Sequence, residues 1–278
     1  MILRRALFTR CATGALLLCL AAAPATTQST APASRPVESA EAATILASAK
    51  AAYLAAETLA VEGTIRGDFD VANRTKQHAY TFTSAASGAG RFFHRIRDEA
   101  GRDVLIAASD GKQLTLYNAR RNAYATLPAS PERVPAEKLA DVFTALMLDG
   151  DPSTLLLLCS EPDELLRKGA TRIEADPAKA DHPVLLWESA DEKRRLIFDA
   201  GTKLLRQVEI DYEPLFKARD TNGFKRALVT IEYGKIAINE PVDEAQFAFK
   251  PPRTASEFVL NSELMQSDSA SPATQPAE

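Results

Sequence analysis

Apolar and polar residues alternate with a period of two along most of this chain. The clearest runs are His78 to Phe82, Val208 to Tyr212 and Val229 to Tyr233, and each is typical of a strand with one dry face and one wet face. Turn dipeptides such as Ser87-Gly88 and Asp110-Gly111 separate such runs by hairpin-like lengths. The pattern predicts an antiparallel meander, with further strands at Leu59 to Asp68, Arg91 to Arg97, Val104 to Ala108, Leu114 to Asn118, Ala123 to Leu127, Arg172 to Glu174, Val184 to Glu188, Arg194 to Asp199 and the run that carries Phe247 and Phe249.

Three segments depart from this alternation and have the period of a helix. Glu41 to Ala56 is predicted to place its apolar residues on one side, and a short helix is predicted to follow Asp151-Pro152-Ser153. Pro135 to Leu148 is the most regular of the three, with Pro135 in its first turn and Gly150 just beyond its end. Because a one-faced sheet must be covered, helices between two groups of strands are expected to cover it.

The first 25 residues have the pattern of a secretory leader. A basic front contains Arg4, Arg5 and Arg10, an apolar core follows, and a small-residue cleavage site ends at Ala25. We therefore expect an exported, soluble periplasmic protein that is cleaved near Ala25. The stretches 26–40 and 262–278 are rich in small and polar residues, and they are predicted to be a disordered linker and tail around one domain at 41–261.

Charge and cysteine content narrow the class of protein. Without the leader the 33 Lys and Arg residues fall to 30, against 37 Asp and Glu residues, and this acidic balance argues against nucleic acid as a partner. Cys11 and Cys19 leave with the leader, so Cys159 has no partner for an intramolecular disulfide. Neither leader cysteine has the small preceding residues of an acyl-anchor site.

Catalytic chemistry has no recognisable motif in this sequence. The only histidines are His78, His94 and His182, and they lack the spacing of metal ligands. Gly-x-Ser-x-Gly and glycine-rich phosphate-binding loops are absent from the sequence. We therefore expect a protein that is not an enzyme and has no cofactor or metal.

Two stretches carry a resemblance to a known family. Ser109-Asp110-Gly111-Lys112 leads into a strand, and Val242-Asp243-Glu244-Ala245-Gln246-Phe247-Ala248-Phe249-Lys250-Pro251-Pro252 closes the domain. Together with the leader and the mid-chain helices, they resemble the LolA-like family of periplasmic lipoprotein carriers, in the LolA/LolB superfamily. The resemblance implies an α+β, mainly antiparallel fold, in which an unclosed half β-barrel of about ten to eleven strands is covered by lid helices.

The resemblance also implies a function and a set of site residues. It implies a monomeric carrier that shelters acyl chains of lipoproteins or lipids in an apolar cavity, for transfer toward the outer membrane, with an inner-membrane export complex and an outer-membrane receptor as partners. The alternative is an envelope regulator with the same fold that senses lipid or lipoprotein. Arg91 has the position of the arginine that holds the lid shut in the family, and Arg95 and Arg97 compete for that role. The expected lipid-binding residues are Phe93, Leu114, Leu116, Leu139, Val142, Phe143, Leu146, Met147, Val208, Ile210, Val229 and Ile231.

A carrier of this kind has a clear physical purpose. Each CH₂ group removed from water contributes about 0.8 kcal/mol, so exposing an acyl chain of ~16 carbons costs roughly 12 kcal/mol. Such a chain does not cross an aqueous compartment unaided.

Overall fold

A computed structural model describes residues 35–71, 74–88, 90–138, 152–177, 182–219 and 223–257. In these residues thirteen strands form one sheet, in the order β1-β8-β9-β10-β11-β12-β2-β3-β4-β5-β6-β7-β13. The strands are β1 (Val37–Glu38), β2 (Thr58–Val71), β3 (Arg74–Ser87), β4 (Arg91–Asp98), β5 (Asp103–Asp110), β6 (Gln113–Asn118), β7 (Ala123–Pro128), β8 (Arg172–Ala175), β9 (Val184–Glu188), β10 (Lys193–Phe198), β11 (Leu205–Asp211), β12 (Arg226–Ile238) and β13 (Ser256–Glu257).

The sheet is antiparallel except at its two edges. The two-residue strands β1 and β13 pair in parallel with β8 and β7, and they do not pair with each other. The sheet is therefore unclosed, and short added strands limit how much of each edge remains available for pairing with another chain. This arrangement confirms the predicted fold class, an α+β fold built on an open, mainly antiparallel sheet.

Four α-helices lie within the described residues. They are α1 (Ala40–Ala55), α2 (Pro152–Leu158), α3 (Pro162–Arg167) and α4 (Glu213–Ala218). The side chain of Ser39 accepts a hydrogen bond from the Ala42 amide at 3.1 Å, which caps the start of α1. Every residue of α2 is buried, so this helix lies inside the domain rather than on its surface.

The predicted elements agree closely with the observed ones. Each predicted strand before residue 240 is present within a few residues of its expected bounds, and α1 and α2 occupy the first and third predicted helices. The second predicted helix, Pro135 to Leu148, is seen only as a 3₁₀ turn at Ala136–Lys138, because 139–151 lie outside the described residues.

The closing run of the domain is a correction. Phe247 and Phe249 are not on a strand, because Glu244–Ala248 forms a 3₁₀ helix. The Asp243 side chain accepts a hydrogen bond from the Ala245 amide at 3.0 Å, and such a cap starts a helical turn that competes with extended backbone. Alternating apolar residues in this run therefore arise from packing of the turn and not from a pleated strand.

Ordered structure also begins before the expected domain boundary at residue 41. Val37–Glu38, inside the stretch predicted as a linker, forms β1 and pairs with β8. The carboxylate of Glu38 accepts hydrogen bonds from Arg167 at 2.7 and 3.1 Å, and Arg167 also pairs with Asp163 at 2.9 Å. This partly buried ion-pair network joins the start of the domain to α3, whereas 1–25 and 262–278 lie outside the described residues.

Candidate ligand-binding face

The register of the strands places one continuous row of apolar side chains on a single face of the sheet. Residues paired directly across an antiparallel ladder point to the same side, so the ladders can be followed from β8 to β6. We call this the inner face. Its apolar members include Ile173, Trp187, Leu196, Val208, Ile210, Val229, Ile231, Ile65, Phe82, Phe92, Ile96, Leu105, Leu114 and Leu116, and all of these are buried.

Helices α1 and α2 are attached to the inner face through a buried group of hydroxyls. The Tyr53 hydroxyl of α1 accepts a hydrogen bond from the Leu205 amide at 3.2 Å and lies 2.8 Å from Ser153 Oγ of α2. The Ser153 amide in turn donates to the Tyr233 hydroxyl at 3.3 Å. Because these polar groups satisfy one another, they can be buried at the seam between helices and sheet without a large desolvation cost.

An aromatic cluster lies beside this seam. Phe82 makes an edge contact with Tyr233, with ring centroids 5.6 Å apart, and lies 6.0 Å from the ring of His94. Gly63 makes room for the phenyl ring, since a Cβ there would come within 2.4 Å of it. His94 Nδ1 lies 2.7 Å from Ser84 Oγ, so the imidazole is part of a buried polar pair.

Six of the expected lipid-binding residues share the inner face, as the period of two predicts. These are Leu114, Leu116, Val208, Ile210, Val229 and Ile231. Their contact with a ligand stays a prediction. The other expected wall residues, Leu139, Val142, Phe143, Leu146 and Met147, lie outside the described residues.

Phe93 is a correction, because it points to the opposite, outer face. It pairs with Ala85 and Ala108 and is buried in a separate cluster beneath Phe247. Its neighbour Phe92 pairs with Ser109 and lies on the inner face. Both phenylalanines are buried, so hydrophobicity alone does not distinguish them, whereas a one-residue choice of register reverses their faces.

Arg91 is also on the outer face and is tied to the closing segment of the domain. Its guanidinium pairs with Glu244 at 3.0 Å, donates to Ser87 Oγ at 3.1 Å and lies 6.0 Å from the ring centre of Phe247. These contacts hold the 3₁₀ helix and not a described helix of the inner face. Arg95 and Arg97, the other two candidates for the latch, pair with Asp103 on the same outer side.

An arginine that the sequence did not single out does bind the backbone just after α1. Arg133 donates to the Ala56 carbonyl at 2.8 Å, and burial lowers the pKa of its guanidinium. Next to it, Val134 forms a bridge with Cys159. Arg133 therefore fastens the chain entering the second predicted helix to the end of α1. The only feature of the sequence that marks Arg133 is its position two residues before Pro135.

Reactive cysteines and metal centres each need characteristic surroundings. Cys159 is fully buried, and burial raises the pKa of its thiol, so the thiolate that reactive cysteines need is disfavoured. No group of three or more His, Cys, Asp or Glu side chains is placed to hold a metal ion in the part of the chain that the structure describes. Within the same residues, every helix is too short or too polar to cross a bilayer.

A separate small cleft lies between α1 and the β9–β10 region. It has a volume of about 220 Å³ and is lined by Thr44, Ile45, Ser48, Pro183, Phe198 and Lys203. Pockets for drug-sized ligands occupy roughly 300–1,000 Å³. This cleft is therefore too small for an acyl chain.

Comparison with known proteins gives structural neighbours only. No family model matches the chain, and no curated protein sequence matches it. Among solved structures, an uncharacterized conserved protein from Thermus thermophilus is 11% identical with a TM-score of 0.43, and the similarity covers 78% of this chain and 98% of that one.

Two further neighbours carry descriptive names. The Pseudomonas aeruginosa MucA/MucB complex is 14% identical with a TM-score of 0.40, covering 76% of this chain and 62% of that one. A LolA superfamily protein from Nitrosomonas europaea is 10% identical with a TM-score of 0.34, covering 75% and 97%. The name of the Nitrosomonas protein is that of the superfamily that the two sequence motifs resemble.

Proposed function

We propose that this protein shelters the acyl chains of lipoproteins or lipids against the inner face of its sheet. The observation that carries the proposal is the extent of that face, which runs without interruption over ten adjacent strands from β8 to β6. With strands about 4.8 Å apart, it is roughly 43 Å wide. The longest described helix, α1, has 16 residues and is about 24 Å long. The inner face is therefore wider than α1 is long.

The chemistry of the face suits a hydrocarbon ligand. Its side chains are mostly branched aliphatic and aromatic groups, which interact with an acyl chain through non-directional contacts. The polar groups next to it, such as Tyr53, Ser153 and Tyr233, are hydrogen-bonded to one another. A ligand on this face would therefore be held by burial of apolar area and could be released without breaking specific hydrogen bonds.

A single native reporter makes the proposal testable. Trp187 is the only tryptophan in the sequence and is buried on the inner face. A fatty acid brominated in mid-chain quenches tryptophan fluorescence on contact, whereas the same unbrominated fatty acid does not. We expect saturable quenching of Trp187 by the brominated ligand alone.

The preceding residue in the chain supplies the matched control. Leu186 pairs with Arg195 and lies on the outer face, 36% exposed. A protein carrying Trp187→Phe and Leu186→Trp therefore moves the reporter to the other side of the same strand. Phe82→Trp, combined with Trp187→Phe, places a second reporter further along the inner face. Quenching at position 186 equal to that at 187, or none at 187 and 82, would refute binding on the inner face.

The carrier role extends this proposal. We propose export to the periplasm and delivery of the ligand from an inner-membrane export complex to an outer-membrane receptor. N-terminal sequencing of protein purified from an envelope fraction should begin at Thr26. Movement of a fluorescent acylated probe between two vesicle populations should be accelerated by the protein, whereas binding without transfer would favour the lipid-sensing alternative.

A further inference from the structure

The inner face of β3 changes from apolar to cationic along its length. Phe82, Tyr80, His78 and Lys76 follow one another on this face at steps of two residues. Phe82 is fully buried, whereas the other three are half-buried. At about 3.4 Å per residue, the distance from Phe82 to Lys76 is roughly 20 Å, so hydrocarbon-like and charged surfaces lie on one strand within the length of an amphiphile.

The cationic end of β3 lies where the sheet narrows. Strand β4 pairs with β3 only as far as Tyr80 and Asp98, whereas β2 pairs with it as far as Arg74 and Val71. The side of β3 beyond Tyr80 is therefore not covered by a described strand on its β4 edge. Arg120, in the turn after β6, places its guanidinium 5.9 Å from the ring centre of Tyr80.

The charges at this end act on one another. The pKa of His78 is lowered by partial burial and by the positive charges of Lys76 and Arg120, and the negative charge of Glu99 opposes that shift. The imidazole also stacks against Tyr80, with ring centroids 6.4 Å apart. Lys76 and Arg120 therefore bring positive charge to this end of β3, where the carboxylate of Asp98, opposite Tyr80, is itself paired with Arg102 at 2.8 Å.

We propose that Lys76, His78, Tyr80 and Arg120 bind the phosphate of an anionic amphiphile whose acyl chain lies on the inner face. This inference rests on the proposed function, because the acyl chain must occupy that face. Ammonium and guanidinium groups are strong donors to phosphate oxygens, and the Tyr80 hydroxyl adds a further donor. The order of these groups along β3 sets the direction of the ligand, with its hydrocarbon toward Phe82 and its headgroup toward Lys76.

The test compares two amphiphiles with the same acyl chain, a monoacylglycerol phosphate and the neutral monoacylglycerol. Their affinities for the wild-type protein and its variants are measured by isothermal titration calorimetry. We expect the phosphate to bind more tightly, and Arg120→Gln to weaken it by about fivefold, the size of one partly exposed charge contact. Affinity for the neutral amphiphile should not change.

The neighbouring residue provides a control with the same change in charge. Arg121 is exposed in the same turn as Arg120, so Arg121→Gln should alter the phosphate amphiphile's affinity by less than twofold. The double variant Lys76→Gln and Arg120→Gln should remove the preference for the phosphate. As an independent readout, NMR titration should show that the phosphate amphiphile raises the pKa of His78, whereas the neutral one does not.

Three outcomes would overturn the proposal, and they can be told apart. Equal affinities for the two amphiphiles, unchanged by Arg120→Gln, would remove the headgroup site and leave the acyl-binding function intact. Inorganic phosphate that binds as tightly as the amphiphile would show a free-phosphate site instead. Failure of both amphiphiles to bind would reject the headgroup site, and the bromine quenching at Trp187 would decide whether acyl binding also fails.

Discussion

Replacing Tyr53 by phenylalanine tests how α1 and α2 are held on the sheet. The substitution keeps the ring and removes one hydroxyl, which accepts from the Leu205 amide and pairs with Ser153 Oγ. All three residues are at most 2% exposed, so water cannot easily replace the missing partner. Each buried polar group left unsatisfied costs about 1–3 kcal/mol, so with two groups affected we expect a decrease of about 2–6 kcal/mol in the free energy of unfolding.

Urea unfolding followed by Trp187 fluorescence measures this decrease. With a slope of about 2 kcal/mol per molar urea, the midpoint should fall by roughly 1–3 M while the slope stays constant. Tyr124→Phe is the matched control, because the Tyr124 hydroxyl makes an exposed hydrogen bond of 3.4 Å to Glu257. Its midpoint should change little.

Equal midpoints for the two tyrosine variants would refute the reasoning. A double-mutant cycle of Tyr53→Phe with Ser153→Ala then locates the effect. If the hydrogen bond between the two hydroxyls accounts for most of the destabilisation, the two substitutions together should cost clearly less than the sum of each alone. Additive costs would mean that the two hydroxyls do not act on each other.

Other positions give sharp expectations. Gly63→Ala should destabilise by about 1–3 kcal/mol, because its Cβ would lie 2.3 Å from a backbone carbonyl oxygen, whereas Gly234→Ala, whose Cβ would meet its nearest neighbour at 3.6 Å, should be close to neutral in the same urea assay. Arg91→Leu should speed proteolysis of the closing segment while costing less than about 1 kcal/mol, since its pair with Glu244 is 40% and 62% exposed at the two side chains; quenching at the inner face should not change, and a clear change there would restore Arg91 to the ligand site. Two backbone amides that donate to Asp110 lower the pKa of its carboxyl, so its contribution to stability is present above the unfolded-state pKa near 3.9 and is lost as pH falls through the lowered folded value. Asp110→Asn should therefore flatten the acid limb of the stability curve, and an acid limb identical to that of the wild type would contradict this expectation.

Much of the sheet could be predicted because strands carry a local signal. Alternation in runs such as Val208 to Tyr212 and Val229 to Tyr233 reflects one buried and one solvated face, and this contrast is written into each strand separately. The turn at Asp110-Gly111 was equally legible, since glycine there has a φ of +88°, a region that other residues rarely adopt. The inner-face positions of Val208, Ile210, Val229 and Ile231 followed from the same periodicity.

The residues of the site were harder to predict from the sequence where both faces of a strand are buried. In β4, Phe92 and Phe93 are both buried, so their hydrophobicity gives no direction. The register between β4 and β5 also shifts at Ile96 and Arg97, and such a bulge changes which residues oppose one another. Arg91 was chosen by its spacing to Ser109, and spacing along the chain does not show which face of a strand a residue takes. Arg91 lies on the outer face.

The sequence by itself determined most of the longer strands, the helices α1 and α2 and the apolar stripe of strands such as β11 and β12, because these depend on neighbours a few residues apart. Only the tertiary structure decided which stripes join into one face and which polar groups meet. Arg133 donates a hydrogen bond to the Ala56 carbonyl, and the Arg120 guanidinium lies over the ring of Tyr80. The partners in each contact are far apart in the chain, so no local sequence pattern predicts these contacts. Pairing partners are chosen by the global fit of faces and turns, so side chains distant in the chain acquire their roles only when the sheet assembles.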